Sequence, residues 1–195
     1  MSELIDILDN TGNLTGGVRN RDDVHGLGLW HKSIHVWIVN SSNEVLLQKR
    51  ADWLRSNKGK WDLSVSGHVE SGENVNDCVI REAKEEIGIT LDPNEVWFLF
   101  QEKRQTTRNN NTYINNEFSD VFLVRKDIDN ADLKNIGKEV EKVKWVHIDT
   151  LDKWLKEGKE DLVIYKDEYE KMFPHLEKTF TSYLTNLTEV FDSLK

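Results

Sequence analysis

The chain has one cysteine, Cys78, and two prolines among its 195 residues. A lone thiol cannot close an internal disulfide, so a cytoplasmic protein is expected. Cys78 itself reads as a small, semi-buried hydrophobe rather than a nucleophile. No run of 18 apolar residues occurs and no basic-plus-apolar leader, so neither a membrane span nor a signal peptide is expected. Cations are also scarce: 26 Lys and Arg face 35 Asp and Glu, for a formal charge of −9. That balance argues against a nucleic-acid polymer as partner, since binding its backbone needs clustered cations. A small anionic ligand remains compatible where a metal ion and local Lys or Arg offset the field.

Large apolar side chains are plentiful by comparison. Seven tryptophans and seven phenylalanines can build a core of one domain with an appended tail. Residues 3–8 read as a strand, Asn10-Thr11-Gly12-Asn13 as a turn, and 33–40 and 44–50 as strands joined through Ser41-Ser42-Asn43. A short strand at 62–66 enters a glycine-bounded loop. Strands are expected again at 95–103, 113–125 and 140–147, the first two of these joined through 108–111. From Thr150 onward the pattern is helical, with a tail carrying Phe180, Tyr183, Leu184, Leu187 and Phe191. The expected organisation is an α/β domain over 1–150, with an N-terminal segment 1–30 and a core 31–150. A helical extension at 151–195 would pack on that domain or on a partner subunit, which makes a homodimer an option.

The densest information lies in 67–89, GHVESGENVNDCVIREAKEEIGI. Laid out as a helix at roughly 100° per residue, 74–88 puts Val75, Val79, Ile80, Ala83 and Ile87 on one apolar stripe. Glu82, Glu85 and Glu86 fall together on a second face. Gly67 and Gly72 bracket the preceding loop, and Gly88 suits a left-handed C-cap. A charge run is usually a solvated helix face. Three adjacent carboxylates nevertheless repel one another by a few tenths of a kcal/mol per pair. A hard divalent cation with oxygen ligands converts that repulsion into binding.

The order Gly67, Glu73, Arg81-Glu82, Glu85-Glu86 and Gly88 resembles the signature of the Nudix hydrolases at its fixed positions. The resemblance implies a Nudix fold, a mixed β-sheet sandwiched between helices. It also implies cleavage of a diphosphate linkage in a small molecule, such as a nucleoside diphosphate derivative, by water with Mg²⁺ or Mn²⁺. On that pattern Glu82, Glu85 and Glu86 hold the metal with the Gly67 carbonyl, and Glu82 doubles as base. Arg81 fixes the glutamate rotamers, and Glu73 ties the loop to the helix. Arg50 and Lys60, just before the motif, are the candidate phosphate contacts.

Residues 24–73 and 112–122 are similar to the isopentenyl-diphosphate isomerase branch of the same superfamily. The likeness rests on His25, Trp30-His31, Trp37, Arg50, Gly59-Lys60-Trp61 and Gly67-His68, with Asn116-Glu117 farther on. Isomerases of that type use a cysteine before the Gly-His pair and a glutamate on the later strand. Here Glu117 is retained, and Ser66 takes the cysteine's place; a hydroxyl is a far weaker acid than a thiol of pKa about 8.5. Their metal site implies His25, His31 and His68 as ligands of a second ion, with Asn115 where a carboxylate is expected. His35 reads as structural. Hydrolase chemistry, with Glu117 as an additional ligand or alternative base, is the leading expectation. An isomerase-like enzyme and a non-catalytic nucleotide-binding module are the alternatives.

Overall fold

A computed structural model describes residues 3–108, 113–134, 136–159, 161–163 and 165–176. One compact unit covers Met1–Val163 and a second covers Ile164–Lys195. The boundary sketched at 150 falls inside a helix, Ile148–Lys156. In the second unit residues 166–176 are helical, with rings of Tyr165, Tyr169 and Phe173 spaced 6.4 and 6.5 Å apart. Phe180, Tyr183, Leu184, Leu187 and Phe191 lie outside the described residues, as does 109–112.

In the first unit the chain runs β1 (Leu4–Leu8), β2 (Leu14–Asn20), α1 (Arg21–Leu27), β3 (Trp30–Val39), β4 (Glu44–Arg50), β5 (Trp61–Asp62), β6 (Val65–His68), α2 (Val75–Ile87), β7 (Val96–Arg108), β8 (Tyr113–Arg125), β9 (Val140–His147) and α3 (Ile148–Lys156). The strands form one mixed sheet. β3 pairs parallel with β8 from Trp30↔Asn116 to Val39↔Arg125, and antiparallel with β6 from Ser33↔His68 to Val36↔Val65. β9 lies antiparallel on β4, and β7 on β8. The α/β class expected from the sequence is what forms. The segment expected as one strand at 62–66 is two pieces, because Trp61–Asp62 pairs with β4 while Val65–His68 turns to β3.

Side chains alternate across a strand, so β3 assigns its residues to two faces. Ile34, Val36 and Ile38 join Leu46 and Val65 in packing against Val79, Ala83 and Ile87 of α2. Val75, Val79, Ala83 and Ile87 are thus the stripe read from the helical period, whereas Ile80, also expected there, is only half-buried and lies with Asp77, Arg81, Lys84 and Glu85. Burying each such aliphatic side chain contributes about 1.5–3 kcal/mol, which fixes α2 to the sheet. Asn74 caps the helix by accepting from Asn76 N–H at 2.9 Å, and Gly88 ends it at φ 75°. His31, Ser33 and His35 take the other parity and point away from α2.

Among the described helices, none is long and apolar enough to cross a membrane.

Candidate functional site

The glutamates of α2 meet the sheet at β6. Glu86 is buried, and its Oε2 accepts from Gln48 Nε2 at 2.8 Å and from the Ser66 backbone N–H at 2.9 Å. Burial, reinforced by the neighbouring Glu82 charge, pushes its carboxyl up to about 8. Glu82 is raised to about 7, again chiefly by burial, against the pull of Arg81. Gly67 backs directly onto Glu82: a Cβ there would overlap its carboxyl group. Glycine at 67 is therefore a matter of close approach. Glu85 is the exposed member of the three.

Arg81 links the group. Its guanidinium donates to Glu73 at 2.8 and 2.9 Å, to Glu82 at 2.8 Å, to Glu85 at 3.3 Å and to the His68 carbonyl at 3.1 Å. The Glu73 bonds, ahead of the Glu82 charge, hold it strongly protonated. Glu73 is lowered because those bonds outweigh its partial burial. Cys78, one helical turn before Glu82, is buried; burial first, then Glu73 and Glu82, raise its thiol, so it is no nucleophile.

The opposite face of β3 gathers a second group. His25 from α1, His31 from β3 and His68 from β6 have ring centroids 5.0 to 5.1 Å apart. One nitrogen from each lies within 4.8 Å of the others. His31 Nδ1 lies 3.0 Å from the Leu29 carbonyl and His68 Nδ1 3.1 Å from Glu3 Oε1, while His25 Nε2 lies 3.3 Å from the Tyr113 hydroxyl. His25 Nδ1 and His31 Nε2 are buried with no hydrogen-bond partner. Burial above all, then the charge of His68, depresses His25 to about 3 and His31 to about 4. Neutral, unpaired imidazole nitrogens converging on one point fit a transition-metal ion.

Glu117 sits beside His31 in the β3–β8 register, so the sheet gives it to the histidine group rather than to the α2 glutamates. It is buried, and Arg104 is 3.2 Å from its Oε1. Burial opposes ionisation, but His35, Arg104 and His31 together hold the carboxyl at about 2. Asn115 Oδ1 is buried without a partner on the same strand.

Beside the histidines opens a cleft of about 510 Å³, lined among others by Arg21, His25, Arg50, Trp53, Arg55 and Tyr113. Arg50 stands 3.7 Å from the Asp62 carboxylate. Lys60 is not among the lining residues; its carbonyl accepts from Arg50 N–H at 2.9 Å. Arg21, Arg55 and Tyr113 carried no short-range signal in the sequence, because α1, the 51–60 loop and β8 converge only in the fold. Glu3 was likewise invisible; it bridges His68 and Arg21, and those contacts overcome burial to lower its carboxyl to about 2.

A family model described as NUDIX domain matches residues 29–166. Nudix hydrolase 3 of Arabidopsis thaliana is 37% identical over 123 residues, which cover 63% of this chain and 16% of that protein. The isopentenyl-diphosphate Δ-isomerase of Shigella boydii serotype 4 is 30% identical over 117 residues, covering 60% of this chain and 62% of the isomerase. The chain thus spans less than two thirds of the length of either curated relative. The crystal structure of DR0079 from Deinococcus radiodurans superposes with a TM-score of 0.61 at 19% identity, over 86% of this chain and 96% of that one, which is a likeness of fold.

Proposed function

This chain belongs to the Nudix family, and we propose that it is a divalent-metal-dependent hydrolase cleaving a diphosphate linkage in a small molecule. The observation that carries the reading is the pair Glu82 and Glu86. Burial drives both toward protonation near neutral pH, yet Arg81, Gln48 and the Ser66 N–H hold them in fixed positions. Burying two repelling carboxylates is costly unless a cation joins them. An all-oxygen set of Glu82, Glu85, Glu86 and the Gly67 carbonyl suits Mg²⁺, with Mn²⁺ as the alternative.

When bound, the ion would neutralise the diphosphate and lower the pKa of the attacking water. Glu82 would take the proton from that water. Arg81 would keep the glutamates in one geometry, and Glu73 would hold Arg81. Arg50 would contact the phosphates from the cleft, with Arg21 and Arg55 beside it. Lys60 is the weaker phosphate candidate, lying off the cleft wall. His25, His31 and His68 would hold a second cation, with Glu117 at its side. The test is Mg²⁺-dependent release of a phosphate-bearing product from a panel of diphosphates; no release from any of them, at any Mg²⁺ or Mn²⁺ concentration, would sink the reading.

A second reading, an isopentenyl-diphosphate isomerase-like enzyme, is favoured by the histidine group with its two unpartnered nitrogens and by Glu117 beside His31. Against it, Ser66 and Asn115 stand where that chemistry uses a thiol and a carboxylate. Deuterium uptake from D₂O into intact isopentenyl diphosphate would decide for it.

A further inference from the structure

We propose that Glu3 is a positioning residue of the histidine group: its carboxylate turns His68 so that Nε2 faces His25 and His31, and Arg21 clamps that carboxylate from the cleft side. The proposal rests on the reading that the three histidines hold a cation.

An imidazole has two nitrogens, and the one left for a metal is decided by the hydrogen bond that the other makes. His31 is set this way by backbone: its Nδ1 meets the Leu29 carbonyl, an acceptor only, so Nδ1 carries the proton and Nε2 is left bare. His68 has no such carbonyl. Its Nδ1 meets Glu3 Oε1 at 3.1 Å, and an ionised carboxylate is likewise an acceptor only. Nε2 of His68 is then the nitrogen free to join the group.

The carboxylate that does this is held at both oxygens. Its Oε2 is 3.1 Å from Arg21 Nη1, and the Glu3 carbonyl accepts from Arg21 N–H at 3.1 Å. The strand that follows Glu3 is pinned from the other flank as well. The Leu4 carbonyl accepts from Ser71 N–H at 2.8 Å, and Ile5 bridges to Glu70, two residues beyond His68. The N-terminal strand thus docks on the segment that carries the histidine, with Glu3 at the contact. Arg21 lines the cleft, so the chain Arg21–Glu3–His68 runs from its wall to the histidine group. An ion pair that served stability alone would leave ion binding unchanged.

The test is calorimetric titration of the metal-free protein with Zn²⁺ and with Mg²⁺, with no substrate present, for wild type, Glu3→Ala, Glu3→Gln and Arg21→Gln, with His31→Ala as the variant that breaks the group. Glu3→Ala should weaken the Zn²⁺ step that His31→Ala abolishes by about 10- to 100-fold. Glu3→Gln should lose less, because its amide oxygen still accepts from Nδ1–H, and Mg²⁺ binding should not move in any of the three Glu3 and Arg21 variants. Long-range ¹H–¹⁵N spectra of the metal-free wild type should show His68 as the Nδ1–H tautomer, a readout that needs no ion and no Glu3 variant to fold. Zn²⁺ affinity unchanged in Glu3→Ala, or His68 found as the Nε2–H tautomer, would overturn the proposal. Wild type and His31→Ala binding Zn²⁺ alike would instead overturn the reading of the histidine group itself.

Discussion

The backbone N–H of Ser66 donates to Glu86 Oε2 at 2.9 Å. The residue that replaces the isomerase thiol is therefore bound, through its main chain, to the glutamate pair on which the hydrolase reading rests. Gln48 Nε2 ends on the same Glu86 oxygen. Glu86→Gln can keep both bonds on its amide oxygen while exchanging the other carboxyl oxygen for an NH₂ that cannot ligate a cation. Turnover should fall by orders of magnitude, with circular dichroism and Tm close to wild type. A near-wild-type rate would remove Glu86 from the site.

The raised carboxyls of Glu82 and Glu86 make a signed prediction for stability. In the unfolded chain both ionise near 4.5, whereas in the fold they do so near 7 and 8. Between those values the native state binds more protons than the unfolded one, so this contribution is complete below 4.5 and is lost as pH rises through 7 to 8. The metal-free protein should lose Tm between pH 6.5 and 8.5, and Glu82→Gln should lose less. Mg²⁺ should raise Tm more at pH 8.5 than at 6.5, since fewer protons compete for its ligands. Thermal melts at the two pH values, with and without Mg²⁺, check this; a flat wild-type profile would contradict it.

The histidines carry the opposite sign. His25 and His31 titrate near 6.5 unfolded but near 3 and 4 in the fold. Their contribution is present above 6.5 and disappears as pH falls toward 4 and 3. Both rings should stay neutral at pH 5.5 in the metal-free protein, which their Cε1–H chemical shifts report. Midpoints near 6.5 would show that the rings are hydrated rather than packed together.

Gly67→Ala tests the close approach of β6 to α2. Its methyl would collide with the Glu82 carboxyl, so either that side chain or the helix must move. The expected cost is about 1–3 kcal/mol of stability from overpacking. Activity should fall by 100-fold or more, because a displacement on the order of 1 Å in a positioned group costs that much. Full activity in Gly67→Ala would mean that Glu82 has no fixed place in the reaction.

Much of this was legible in the chain, for identifiable reasons. α2 was written twice, in its apolar period and in Gly88 at its end, and the structure keeps Gly88 as the cap and, Ile80 apart, the period. β4, β8 and β9 run over the residues read as strands. β2 and α1 were not foreseen. β2 is an edge strand with Gly16 and Gly17 in it and no buried residue, so it has no alternation to read. α1 spans seven residues, too few to display a period, although Asn20 caps it through Asp23 N–H. Glu117 could be picked out as a residue but not assigned to a neighbourhood. Only the parallel register with β3 reveals that it stands beside His31. Arg21, Arg55 and Glu3 belong to contacts between segments far apart in sequence, which no local pattern encodes.

The most direct test of the central claim is to incubate the purified protein with Mg²⁺ and a panel of diphosphates, isopentenyl diphosphate included, in H₂¹⁸O. Mass spectrometry of the products then follows the label. The account predicts one phosphate-bearing product carrying a single ¹⁸O atom from the attacking water, formed by wild type and lost in Glu86→Gln. Substrates recovered whole and unlabelled across the panel, or labelled product formed equally by Glu86→Gln, would contradict it.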